Sequence, residues 1–472
     1  MDASILVTIG VFGAGGVLAF AIVGSRERTG IDRLLASLAW GPGLAAGLLS
    51  LVSFFGLAIG LGQIGRSGLL VVLAVAPLVA WWATRRTPSP SLSSFPDGQR
   101  GGLGVWSGVV ALALLAVGYG WASLRWFADR PLGSFDGMGI WTYRALQWFR
   151  SGEAFPETLG MMLESKPGYP LLLPGLVGSE FTLWGGESTI IPIATGWFFV
   201  VSVAAVCILS VKRWASLSIA LAAAALLLST PLVWRWAFAQ CADLALASFT
   251  LAAAYGLCEI GTRRRQESTP SWLVGLFLGL MVWTKDEGLF LAIILLAVAV
   301  LRARLGGGRP QNRGWLGVAV GALPGLVATG VLKIAWVSSG EAQRYLDAEI
   351  WSRLTDPGRW RSVAAAFAER LVPWSGEGLW GGTLVVLLAL SIVVIWRRPK
   401  AGAGLGAALY GVPAVLAAGF FAAAYLLTPE PLEWHLRTSL DRLLMQLLPL
   451  AVVAVFAAFG GSQLDPGRSR AD

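Results

Sequence analysis

The sequence predicts an all-α, polytopic membrane protein, and three observations carry that prediction. Of the 472 residues, 56% are hydrophobic and only 13% are charged, about half the charged fraction of a soluble chain. The mean hydropathy is +0.68, and the apolar residues fall in runs of about 20, enough to cross a hydrocarbon core of about 30 Å. The alternating pattern of a membrane barrel does not occur, which leaves helices as the spanning element.

The expected spans are 4–24, 34–60, 67–84, 105–127, 187–211, 213–238, 242–260, 272–284, 287–301, 314–338, 379–396, 403–427 and 441–460, about 13 in all. The first run begins at Ser4 with no basic segment ahead of it and is expected to be a span, not a cleaved signal. Residues 1–84 make a three-helix N-terminal group, 85–104 (TRRTPSPSLSSFPDGQRGGL) a polar linker, 105–460 the main membrane region and 461–472 a tail. No internal repeat is evident. Cys207, Cys241 and Cys258 lie in apolar segments without metal-ligand spacing and are expected to be packing residues.

Basic residues gather in alternate loops: Arg26/Arg28/Arg33, Arg85/Arg86/Arg100, Lys212/Arg213, Arg263/Arg264/Arg265, Arg302/Arg304/Arg309/Arg313, Arg397/Arg398/Lys400 and Arg468/Arg470. These seven groups hold 20 of the 36 Lys and Arg but only seven of the 27 acidic residues. The positive-inside rule places them in the cytoplasm, together with the linker and the tail. The formal charge of +9 is therefore a topology signal and does not imply nucleic acid. The alternation survives only if 168–185 (GYPLLLPGLVGSEFTLWG) does not cross the membrane. Pro170 and Pro174 are expected to interrupt it, which makes it a re-entrant or interfacial segment on the outer side. Two large outer loops, 128–186 and 339–378, are then expected to carry short juxtamembrane helices.

Ionisable residues near membrane depth each invite a functional question. Asp136 opens a segment in which Ile140, Tyr143, Ala145, Leu146 and Phe149 share one helical side; it is either an N-cap or a catalytic carboxylate. Glu164 and Lys166 precede the Pro-rich stretch and are either a solvated pair or a carboxylate and a phosphate-holding ammonium. Lys285, Asp286 and Glu287 form the tip of a short hairpin (WTKDEGLF) among about 30 apolar residues. Turn solvation competes there with Lys285 facing a donor phosphate. Asp243, in FAQCADLALASF, is a helix cap or a pocket residue. EWHLRTSLDRLLMQLLP brings the only histidine, His435, beside Arg437, Asp441 and Arg442, as structural anchors or as a site for an anionic phosphate group. Trp351, Trp360, Trp374 and Trp380 of the second large loop suit an interface belt or a sugar-stacking platform. No Walker motif, nucleotide-binding Gly-rich loop or HExxH occurs, so a cytosolic nucleotide site has no support.

Five short motifs in order (SFDGMGIW, ESKPGYPLLLP, QCADLAL, TKDEGL and TSLDRLLMQLLP) resemble the GT-C superfamily of integral-membrane glycosyltransferases. That superfamily includes the protein O-mannosyltransferases and the lipid A aminoarabinose transferases. The resemblance spans roughly 105–460 and leaves the first three helices without a role. It implies a GT-C-like core in the bacterial inner membrane with the active site facing the periplasm or exterior. It also implies a polyprenyl-phosphate-linked sugar donor and a glycan, lipid or protein acceptor. By resemblance Asp136 matches a loop Asp that is a base or an acceptor-site carboxylate; Glu164 and Lys166 belong to the element near the donor phosphate, with Tyr169 a further pocket residue. Lys166, Lys285, Arg437 and Arg442 are expected to hold that phosphate, with Asp243, Asp286, Glu287, His435 and Asp441 as further pocket residues. No cofactor is specified; a divalent cation, Mg or Mn, stays open. One departure stands out: the O-mannosyltransferases carry Asp-Glu at the first site, and here Gly137 follows Asp136. The competing classes are a transporter or flippase for a lipid-linked sugar and an inactive GT-C-like assembly subunit.

Overall fold

The computed structural model describes residues 3–23, 30–85, 103–162, 166–260, 269–305, 312–337, 349–371 and 401–459, with positions 383, 386, 387 and 389–391 between them. Among the described residues there is no strand. The helices are α1 (Ile5–Ile22), α2 (Gly30–Ala58), α3 (Arg66–Arg85), α4 (Leu103–Asp129), α5 (Tyr143–Ser151), α6 (Phe155–Met161), α7 (Leu172–Trp184), α8 (Ile190–Lys212) and α9 (Leu217–Leu228). They continue as α10 (Pro231–Phe238), α11 (Asp243–Glu259), α12 (Ser271–Thr284), α13 (Glu287–Leu305), α14 (Asn312–Val331), α15 (Ile350–Thr355), α16 (Pro357–Leu371), α17 (Ala401–Leu427) and α18 (Leu432–Phe459). A π-helical turn, Gly137–Thr142, leads into α5, and another, Leu332–Trp336, extends α14.

Eight of these helices (α1, α2, α4, α8, α13, α14, α17 and α18) are long and apolar enough to cross a membrane, and nine spans result if α9 and α10 count as one. The protein is a multi-pass membrane protein with fewer full spans among the described residues than the 13 expected. The shortfall has local causes. Run 213–238 breaks at Ser229–Thr230 into α9 and α10, bent by 60°; Pro231 opens the second piece, where its missing N–H costs nothing. Runs 242–260 and 272–284 fold as α11 and α12, of 17 and 14 residues, whereas run 67–84 lies within the 20-residue α3. Most of 379–396 lies outside the described residues, as do linker residues 86–102, the tail, Trp374 and Trp380.

Segment 168–185 forms the 13-residue α7, too short to span and buried along nearly its whole length. Within the segment the helix begins only after Pro170, as expected, whereas Pro174 sits in its first turn and does not interrupt it. The two loops expected on the outer side carry short helices, α5, α6, α15 and α16.

The chain divides into two units. The first comprises Met1–Gly102, Gly118–Val206 and Trp236–Ser338; the second comprises Leu103–Val117, Cys207–Arg235 and Ser339–Asp472. In the first unit α2 packs on α1 and α7, and α12 packs on α11 and α14. The α12–α14 contact is a glycine seam. A Cβ at Gly275, Gly279, Gly321 or Gly325 would overlap a backbone carbonyl of the facing helix. Four-residue spacing of glycines lets two apolar helices approach to backbone contact. The N-terminal helices belong to the same core: the Ser53 and Ser179 hydroxyls are 2.9 Å apart, and the Trp283 indole N–H donates to Ser50 Oγ at 2.9 Å. In the second unit α17 and α18 pair along their length, with α15 and α16 against them.

Candidate functional site

The first unit gathers four of the five motif segments. The π-helical turn and α5 present Ile140, Trp141 and Ala145 to Leu173, Val177 and Phe181 of α7 and to Ala239, Cys241 and Ala242 of the α10–α11 turn, with Leu146, Phe149 and Tyr169 packed on that cluster. Tyr143, expected on the same side, is instead 42% exposed, because the π turn adds a residue and rotates the register at its junction with α5.

Asp136 stands half-buried at the head of the π turn. It does not cap the turn: the Gly137 N–H donates to Ser134 Oγ at 3.1 Å. Gly137 lies against the α10–α11 turn, where a Cβ would overlap the Ala239 carbonyl oxygen. This gives a steric reason for the departure from Asp-Glu, since no side chain fits at 137.

Lys166 is exposed, with φ +50°, and its ammonium lies 5.4 Å from the Tyr169 ring centroid, a cation–π distance. Glu164 lies outside the described residues. The turn that carries Lys166 and Tyr169 is tied to α5 by Arg144, whose guanidinium donates to the carbonyls of Tyr169 and Pro167. Arg144 is fully buried. The sequence signal for it is its register: Trp141, Arg144, Ala145 and Trp148 follow the i, i+3, i+4, i+7 spacing of one buried stripe, and all four are at most 1% exposed.

Asp243 opens α11, where a carboxylate suits the helix dipole, and its side chain reaches an ammonium. Its Oδ1 is 2.9 Å from Lys285 Nζ, and Glu287 Oε1 is 3.1 Å from the same ammonium. Asp243 and Lys285 are 0% and 3% exposed, so the hairpin tip is a buried ion cluster and not a solvated turn. Lys285, expected at a donor phosphate, is held between two carboxylates. Asp286 pairs with Lys333 at 2.8 Å, both about one-third exposed. Sequence reasoning missed Lys333, which a π turn at the end of α14 brings to the tip.

Two further buried polar residues escaped the sequence. Gln240 adopts φ +59°, rare for a residue with a side chain. Glu180 of α7 is fully buried and accepts from the Thr195 hydroxyl at 2.9 Å. A cavity of about 10 Å³ lies beside Leu173, Gly196, Gln240 and Cys241, room for a single water. At the rim, Arg150 Nη2 donates to Glu187 Oε2 at 2.7 Å. The hydrogen bond from Arg150 holds the Glu187 carboxyl below its ordinary pKa.

The fifth motif belongs to the second unit. The His435 Nδ1 is 2.9 Å from Thr428 Oγ1 and its ring lies edge-on to Tyr425, so the half-buried histidine stitches the α17–α18 corner. Asp441 faces Arg370 Nε at 3.4 Å. Arg442 is 9% exposed, and Arg437 is exposed. Arg359 of α16 caps α17 by donating to the carbonyls of Tyr425 and Thr428 at 3.1 and 2.9 Å. Desolvation, then the nearby Arg353 charge, lowers its pKa from the ordinary guanidinium value. Trp351 and Trp360 are 73% and 53% exposed, as interface-belt residues would be.

Among the described residues no group of three or more His, Cys, Asp or Glu is arranged to hold a metal ion. Comparison of the chain with protein-family models, curated proteins and solved structures gives no match.

Proposed function

We propose that the protein is a GT-C-type glycosyltransferase of the bacterial inner membrane, moving a sugar from a polyprenyl-phosphate lipid to an acceptor hydroxyl at the outer face. The acceptor is a glycan, lipid or protein. The observation that carries this reading is the meeting of three motif segments, SFDG, KPGY and QCAD, on one packed cluster. Their juxtaposition puts a carboxylate, Asp136, and an exposed ammonium, Lys166, on the same scaffold. The placement at the outer face follows from the basic loops.

In the proposed reaction the acceptor oxygen attacks the anomeric carbon and forms the new glycosidic bond. The bond from that carbon to the phosphate oxygen breaks, and the electron pair leaves with the polyprenyl phosphate. The hydroxyl proton passes to Asp136. A single displacement inverts the anomeric centre. Lys166 offers charge to the departing phosphate as a compact cation on a polar turn. Lys285 is already matched by Asp243 and Glu287, which suits an architectural role better than phosphate capture. Arg437 and Arg442 belong to the second unit. With Gly137 unable to carry a side chain, the mechanism uses one carboxylate at this position.

A second reading, a transporter for a lipid-linked sugar, draws on the buried ionisable residues Glu180, Asp243 and Lys285 and on the 60° break between α9 and α10. Two measurements decide between them. Purified protein is incubated with a panel of polyprenyl-phosphate-linked sugars and acceptors; transfer with inversion supports the enzyme, and flux of donor across vesicles without transfer supports the transporter. A cysteine placed at the exposed Glu157 reports topology: labelling by a membrane-impermeant thiol reagent from outside is expected, and protection in intact cells would remove the outer-face site.

A further inference from the structure

The turn between α10 and α11 does more to the Asp136 segment than pack against it. The Ala239 carbonyl accepts both the backbone N–H and the hydroxyl of Ser134, each at 3.2 Å. The Gln240 side chain, 3% exposed, uses both ends of its amide on the same segment. Its Nε2 donates to the Pro131 carbonyl at 3.1 Å, and its Oε1 accepts from the Thr142 hydroxyl at 2.9 Å. Pro131 and Ser134 precede Asp136 and Thr142 follows it, so the half-buried carboxylate is bracketed by bonds to two adjacent residues. Gln240 makes them from φ +59°, a conformation that costs a residue with a side chain. Backbone strain at a buried amide that spans a candidate base is an unusual way to fill space; an apolar residue in a relaxed turn would pack as well.

We propose that Gln240 is a positioning residue that fixes the Asp136 carboxylate where it meets the acceptor hydroxyl. This rests on Asp136 acting as the base in the function proposed above. The strap sets the height and rotation of the turn that bears the carboxylate, and misplacing a reacting group by about 1 Å can cost about 100-fold in rate.

The test uses Gln240→Asn and Gln240→Gly in the full-length protein. Both residues tolerate positive φ, so the turn keeps its backbone. Asparagine is one methylene too short to reach Pro131 and Thr142 together, and glycine has no amide. The expected result is a kcat lowered about 10- to 100-fold, donor KM within twofold of wild type, an unchanged unfolding temperature, and no further loss when Gln240→Asn is added to Asp136→Asn. Unchanged kcat overturns the proposal, as does an equal additional loss in the Asp136→Asn background, which would mark a general structural effect. Amide exchange over 134–142 reads the strap independently of turnover. Faster exchange in Gln240→Asn with global stability intact is expected, and unchanged exchange refutes the strap. If wild type moves no sugar from any donor, the proposed function falls and takes the catalytic duty of Gln240 with it, while the exchange result still decides whether the strap exists.

Discussion

Replacing Lys285 by methionine separates the two roles open to this lysine. The ammonium is 2.9 Å from Asp243 and 3.1 Å from Glu287, with Lys285 3% and Asp243 0% exposed. Methionine fills nearly the same volume, so the cavity contribution is small. What remains is a carboxylate buried without its cation, which typically costs about 3–5 kcal/mol. At about 1.4 kcal/mol per tenfold, that lowers the folded-to-unfolded ratio by more than about 100-fold. Asp243→Asn should cost less, because Glu287 still faces the ammonium. The double variant Lys285→Met/Asp243→Leu removes both charges from the pair, and its loss should be smaller than that of Lys285→Met alone. The assay is reversible unfolding of the purified protein in detergent, with donor KM measured on the folded fraction. The structural role predicts a large stability loss, rescue in the double variant and an unchanged donor KM. A loss below about 1 kcal/mol, or single losses that simply add, would refute the buried-pair account; a raised donor KM in a fully stable variant would return Lys285 to the phosphate.

Two other perturbations probe the site's surroundings. Gly137→Ala drives a Cβ into the Ala239 carbonyl and should cost about 1–3 kcal/mol with loss of transfer; a Gly137→Glu protein as stable as wild type would show that the turn has room after all. At the rim, the Glu187 pKa is depressed by Arg150, so the stability this carboxylate contributes is complete above its unfolded pKa and is lost as pH falls through the folded value. Both side chains are exposed, 53% and 38%, so the effect is small and salt-screened. Melting curves of wild type and Glu187→Gln should therefore differ slightly at neutral pH and converge as pH falls below about 4; a gap that widens on acidification would reverse the assignment.

The spans were legible because apolar run length is a one-dimensional property, and α1, α2, α4, α8 and α17 fall within a few residues of their expected places. The non-spanning character of 168–185 was also legible, from the charge alternation of loops far away. The break at Ser229–Thr230 was not, since an apolar run reads alike whether straight or bent. Among site residues, Asp136, Lys166 and Asp243 were visible as polar groups in apolar company. Their partners were not: Lys285 and Asp243 are 42 positions apart, and Thr142 and Gln240 are 98 apart, so only the tertiary fold pairs them. Gln240 gave no signal because positive φ is imposed by its surroundings. Arg144 did give one, as the charged member of the Trp141–Ala145–Trp148 stripe. Gly137 was seen as a departure from Asp-Glu; the Ala239 carbonyl supplies the reason.

The central claim is that Asp136 accepts a proton while a sugar leaves a polyprenyl phosphate. Turnover of Asp136→Asn at saturating donor tests it most directly, with wild type measured alongside and folding checked by melting temperature. The amide keeps the size and the position at the head of the π turn but cannot act as a base. The account predicts a kcat lower by about 10²- to 10⁴-fold with little change in donor KM or stability. An Asp136→Asn protein that turns over like wild type would contradict it.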